Sequence, residues 1–202
     1  MTIQTTESGP LYGLRMFRKD IGVALVVLVA LAAGWLLRAQ AIGGVKQFQA
    51  PDIPLRLAYP ASWSVADSLQ DVLLKVSDPQ TDSAFKTTLT VESREIDPAS
   101  PIDMQTLLDR RVDQHTKLTG YHFVGNSDTT VAGVSSSALE YAYVVQPIDQ
   151  PRRAALPVVV RAREYIVAAA DRTYYITLAA PENEFDAASA QFDRILQTVQ
   201  VQ

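Results

Sequence analysis

The chain holds only two histidines, His115 and His122, and acid–base or metal chemistry at neutral pH would start from them. They lie seven residues apart with Gly120 between, so they lack the i, i+4 spacing that aims two imidazoles at one metal. Asp109 and Asp113 precede His115 and could add carboxylates, but carboxylates on a helix surface ordinarily just face water. His115 falls on the arc of Met104, Leu108 and Val112 and reads as a satisfied core or edge histidine. Ser135-Ser136-Ser137 follows Gly133 without the flanking pattern of a nucleophile elbow, and reads as a strand-edge turn. There is no cysteine, which excludes a thiol nucleophile, disulfides, thiolate zinc sites and Cys-ligated iron–sulfur clusters. There is no Gly-rich phosphate loop, since Gly43-Gly44 falls in a linker. These residues nominate no catalytic, cofactor or metal site, and the expectation is a protein that is not an enzyme.

The residues that suggest binding are arginines. Arg111 projects toward the apolar arc of its helix, either as a buried pairing residue or, the commoner case, as a stem that snorkels to water. Arg152 and Arg153 sit in the proline-rich loop Gln146-Pro-Ile-Asp-Gln-Pro-Arg-Arg-Ala-Ala-Leu-Pro157, where restricted backbone lowers the entropy lost on docking. The net charge is −4. Arg15, Arg18, Lys19 and Arg38 against Glu7 and Asp20 give residues 1–45 a charge of +2 and leave the rest at −6. An acidic domain lacks the clustered Lys and Arg that nucleic acid needs, and for the same reason is not expected to lie flat on an anionic lipid surface.

Elements must position these groups, and the first is apolar on every side. Ile21 to Leu37 carries no charge, spanning roughly 25 Å as a helix, and Lys19 and Arg38 can snorkel outward at its ends. Arg15, Arg18 and Lys19 precede it, which by the positive-inside rule keeps the N-terminus cytoplasmic. Ala39-Gln40-Ala41 resembles a signal-peptidase site, but the run is longer than a usual signal core, so a retained anchor is expected. Ala30 and Gly34 form a small-xxx-small pair for a partner helix, and Trp35 sits where an indole favours the interface. The expected organisation is a cytoplasmic tail over 1–20, a transmembrane helix over 21–38, a linker over 39–54 and an extracytoplasmic domain over 55–202.

Within that domain, alternation and turn residues predict strands at Leu55–Tyr59, Val72–Val76, Thr87–Glu92, Asp128–Val131, Ser137–Gln146, Val158–Ala169 and Thr173–Ala180. Trp63 follows Pro60 as a large aromatic anchor at the sheet edge. A helix is expected from an N-cap at Ser100, with Pro101 at its first position, to a stop at Gly120. It buries Met104, Leu107, Leu108, Val112 and Leu118. Pro181 opens a closing helix that buries Phe185, Ala188, Phe192, Ile195, Leu196 and Val199. The last two strands should pair as a hairpin near Asp171-Arg172. The fold class is α+β: a mainly antiparallel sheet sandwiched by helices, preceded by a single transmembrane helix.

Three segments carry a family resemblance: Leu57-Ala-Tyr59-Pro60-Ala-Ser-Trp63-Ser-Val65; Val131-Ala-Gly133-Val134 leading into Ala138-Leu-Glu-Tyr-Ala-Tyr143; and Tyr174-Tyr-Ile-Thr-Leu-Ala-Ala-Pro181 with Phe185 and the closing helix. In order and spacing, over about residues 53–201, this is similar to the PsbP-like (PsbP/Mog1-type) domain, in a bacterial membrane-anchored form. The resemblance implies an α/β/α sandwich. Members known from oxygenic photosynthesis are extrinsic lumenal subunits that support a photosystem without catalysing a reaction. This chain departs from them in carrying its own membrane helix. The functional expectation is a non-catalytic accessory subunit capping the extracytoplasmic face of a membrane-bound respiratory or photosynthetic electron-transfer complex. Its expected partners are integral membrane subunits and the lipid bilayer, with no cofactor and no nucleic acid. The alternative is a free-standing, membrane-tethered binding or envelope-maintenance protein.

Overall fold

The computed structural model describes residues 18–50, 53–66, 72–97, 102–146, 156–169 and 171–201. The chain divides into two compact units, Met1–Ala41 and Ile42–Gln202. Helix α1 (Arg18–Gly43, 26 residues) belongs to the first except for its last two residues. Its side chains are described over 21–37, where Ile21, Leu25, Leu28, Leu31, Trp35 and Leu37 are all at least half exposed. Among the described residues no helix is long and apolar enough to cross a membrane.

The second unit is built on two antiparallel sheets. β1 (Val45–Gln49), β2 (Leu55–Pro60) and β10 (Gln200–Val201) form the smaller, with β2 central. β1 occupies residues expected as linker: it offers only Phe48 to the core, so its pattern is too weak to read as a strand without its partner. β2 alternates as predicted, with Leu55, Leu57 and Tyr59 buried and Arg56 exposed. Pro60 ends it, and Trp63, 2 % exposed, closes the following turn through its N–H to Pro60 O (3.1 Å).

The larger sheet runs β3-β4-β5-β9-β8-β7-β6, with β3 (Ser64–Val65), β4 (Val72–Ser77), β5 (Thr88–Glu95), β6 (His122–Val131), β7 (Val134–Val145), β8 (Val158–Ala168) and β9 (Arg172–Pro181). β6 starts six residues before the expected strand, because its polar residues face water along an edge and show no alternation. Ala132 (φ 53°) and Gly133 (φ 80°) make the two-residue reversal into β7, the left-handed pair that matches the twist of a hairpin. Ser135, Ser136 and Ser137 therefore lie inside β7 rather than in a turn, paired to β6, with Ser136 and Ser137 buried.

Helix α2 (Met104–His115) covers one face of this sheet and α3 (Phe185–Leu196) the other. α2 begins at Asp103, whose carboxylate accepts from Thr106 N (2.8 Å); Ser100 and Pro101, expected there, lie outside the described residues. It ends at Thr116, earlier than the predicted stop, and Gly120 (φ +65°) instead turns the chain into β6. Leu107 and Leu108 join Leu139, Tyr141, Val160, Ala162 and Ile166 in the core beneath α2. Phe185, Phe192 and Ile195 join Trp63, Leu57, Ile176 and Leu178 on the opposite side. Pro181 belongs to β9, and a 3-10 turn over Glu182–Glu184 leads into α3.

Candidate functional site

Among the described residues, the charged cluster buried deepest lies under α2. Along β8 the buried positions alternate: Val160, Ala162, Glu164, Ile166. Period-two geometry thus places the Glu164 carboxylate among apolar neighbours facing α2, with no exposure at all. One turn apart on α2, Arg111 and His115 reach down to it. Arg111 Nε donates to Glu164 Oε1 (2.5 Å), and His115 Nε2 lies 3.1 Å from Oε2. Thr177 Oγ1 on β9 donates to the same Oε2 at 3.1 Å. The other Arg111 nitrogens reach Gln114 Oε1 and Glu92 Oε1, both at 3.1 Å, and the guanidinium lies 4.4 Å over the Tyr175 ring. Arg111 is therefore a buried pairing residue and not the snorkelling stem that was the commoner expectation.

Burial opposes ionisation of Glu164, but the hydrogen bond from His115 and the charge and hydrogen bond of Arg111 outweigh it. They hold the carboxyl below the usual carboxylate range. Burial likewise opposes the charge of Arg111, and Glu164 with Glu92 overcomes it, pushing its pKa up. An ionised Glu164 can only accept, so His115 Nε2 must carry the hydrogen between them. The His115 ring stacks on Tyr141 at 4.2 Å, and Tyr141 on Tyr143 at 6.0 Å. Burial pushes the Tyr143 phenol up to about 12.

A cleft of about 250 Å³ opens beside this cluster, with Thr88, Thr90, Glu92, Arg111, His115 and Tyr143 in its wall. General-base catalysis needs a lone pair aimed at substrate and a pKa near the working pH. Glu164 has neither, because it is wholly buried, outside the wall of the cleft, and its pKa is depressed. The arrangement is a clamp that fixes α2 on the sheet, and Lys75, Thr88, Thr90 and Tyr143 complete the wall of the cleft beside it.

The other sequence candidates are dispersed. Asp109 and Asp113 are exposed, and Asp109 accepts from Gln105 Nε2 (2.8 Å). His122 is exposed at the start of β6. Among the described residues no three His, Asp or Glu side chains group to hold a metal. Ala30, Gly34 and Trp35 lie on exposed α1, and a Cβ at Gly34 would meet nothing within 4 Å. Arg152 and Arg153 lie outside the described residues. Sequence reasoning overlooked Glu164 and Glu92, although the first had a signal: an acid in phase with Val160, Ala162 and Ile166 in an otherwise apolar strand face.

No family model and no curated protein matches the sequence. Solved structures do match. The chain is similar to the cyanobacterial PsbP (CyanoP) of Synechocystis sp. PCC 6803, with TM-score 0.58 and 15% identity over 80% of this chain and 94% of that one. It is similar to LpqN of Mycobacterium tuberculosis, described as involved in cell envelope biogenesis, with TM-score 0.56 and 13% identity over 78% and 90%. The Ran-binding protein Mog1p of Saccharomyces cerevisiae follows at TM-score 0.51 and 11% identity, over 78% and 95%. The domain thus has the PsbP/Mog1-type fold, as the three sequence segments implied.

Proposed function

We propose that this chain is a membrane-tethered, non-catalytic accessory protein whose PsbP/Mog1-type domain caps the extracytoplasmic face of a respiratory or photosynthetic electron-transfer complex. The N-terminus lies in the cytoplasm and the domain outside it. Helix α1 carries the reading. Its apolar side chains are exposed from Ile21 to Leu37, and each fully exposed Val or Leu forgoes about 1.5–3 kcal/mol of burial in water. Such a surface demands lipid or partner helices. The uncharged run Ile21–Leu37 measures roughly 25 Å as a helix, and Lys19 and Arg38 at its ends can reach outward from it. The domain supports an accessory role because its innermost charges hold the fold together, and because fold likeness extends to CyanoP.

Blue-native electrophoresis after mild detergent extraction tests the assignment. Co-migration with integral membrane subunits, identified by affinity purification and mass spectrometry, is expected; migration only as a free species of 22.1 kDa overturns it. A second reading, a free-standing envelope protein, draws on the comparable likeness to LpqN. It requires membrane fractionation with no stable membrane partner.

A further inference from the structure

The domain as a whole is acidic, but its charge is not spread evenly over its surfaces. Two concavities adjoin on the outer side of the small sheet. One, of about 280 Å³, has Gly43, Gly44, Ala58, Arg194 and Thr198 in its wall. The other, of about 660 Å³, has Gln47, Gln49, Arg56 and Gln200, and shares Ala58 and Thr198 with the first. Among the described residues, none lining either is a carboxylate. Arg56 and Arg194 are both exposed, and among the described residues neither meets an acid; Arg194 Nε only reaches Ala190 O at 3.4 Å. By contrast Arg111, Arg161, Arg163 and Arg172 are all paired with carboxylates.

We propose that this face, the outer side of β1-β2-β10 with the C-terminal end of α3, lies on anionic phospholipid headgroups. The proposal rests on the reading of α1 as the anchor. Gly43 is both the last residue of α1 and part of the concave wall, so the chain enters the domain at this surface. A guanidinium offers phosphate a planar fork of donors, and glutamine amides suit a wet polar interface. The exclusion of anionic lipid drawn from net charge holds for the domain average and fails for this face.

The absence of native cysteine lets a single labelled cysteine report position. The full chain, carrying a fluorophore at Gln47→Cys or, as control, at Asn126→Cys on β6, is reconstituted into phosphatidylcholine vesicles or a two-to-one mixture with phosphatidylglycerol. Both contain a headgroup-attached quencher. Quenching at position 47 is expected to rise in the anionic vesicles and reverse in high salt, while position 126 stays unchanged. Each arginine near an anionic surface contributes about fivefold to docking, so R56Q/R194Q should lower the docked-to-free ratio about 25-fold. Equal quenching in neutral and anionic vesicles, or no effect of the double substitution, overturns the proposal. Flotation separates the two readings: failure to float with phosphatidylcholine vesicles removes the anchor. In that event the headgroup surface survives only if anionic vesicles still float the chain and R56Q/R194Q abolishes this.

Discussion

Replacing Arg111 with Met keeps an unbranched stem under Tyr175 but removes the guanidinium that faces Glu164 and Glu92. Glu164, wholly buried, would keep only His115 and Thr177. Removing one partner of a buried pair destabilises by roughly 3–5 kcal/mol, because the survivor's desolvation is no longer compensated. Against a typical total of about 5–15 kcal/mol this is a large share, and in a domain of this size it lowers Tm by about 6–20 °C. The double variant R111M/E164L replaces both charges with apolar groups and should recover most of the loss, giving a strongly non-additive cycle. The pH dependence adds a sign. In the native protein the Glu164 pKa is lowered by folding. Its stabilisation is therefore present above the unfolded value of about 4.3 and fades as pH falls through the folded value. In R111M burial meets less opposition, so the Glu164 contribution should fade at a higher pH than in the native protein and the acid slope should change. Urea unfolding followed by near-UV circular dichroism, in a mild detergent from about pH 2 to 8, measures both effects. A loss below about 1 kcal/mol, an additive cycle, or an unchanged acid slope would refute the clamp.

Further substitutions probe separate elements of the fold. Trp63→Ala empties a site that is 2 % exposed and should cost about 3–5 kcal/mol in the same denaturation experiment. Gly120→Ala must adopt φ +65° and bring its Cβ to 3.1 Å from Val144 Cγ2, so a loss of about 1–2 kcal/mol is expected. Gly133→Ala at φ +80° meets nothing within 4 Å and should cost less, about 1 kcal/mol or under. Asp103→Ala removes the acceptor for Thr106 N and Oγ1 and should lower the unfolding temperature. Because those bonds also lower the Asp103 pKa, their contribution should disappear on acidification even without substitution.

The strands that bury every second residue were readable from sequence because their signal is periodic. β2, β8 and β9 alternate or run apolar, and the closing helix shows its stripe. β1 and the first half of β6 were not, since an edge strand with exposed side chains owes its existence to backbone pairing that no side-chain pattern reports. The start of α2 was misread for a related reason. Ser100 and Asp103 are both acceptable caps, and only the fold decides which carboxylate or hydroxyl meets the free N–H groups. The buried cluster was half legible. Arg111 and His115 stood out on an apolar arc, yet their shared partner lies 53 and 49 residues away. Each strand read alone gives no hint that Glu164 and Thr177 meet beneath that helix.

The placement of β1 also governs how the domain bears load. Chain leaving Gly43 enters β1 almost at once, and β1 lies antiparallel to β2 in register from Val45↔Pro60 to Gln49↔Arg56. Tension drawn along β1 is shared by the rungs of that ladder together, instead of opening them one after another from a frayed end. Gly44 O, accepting from Ala61 N at 2.8 Å, adds a bond at the point where force arrives. On β2's other edge, Gln200 and Val201 pair with Arg56 and Leu55. The same central strand thus grips both ends of the domain, and a fragment trimmed to begin at Leu55 would surrender the mechanical joint along with the strand.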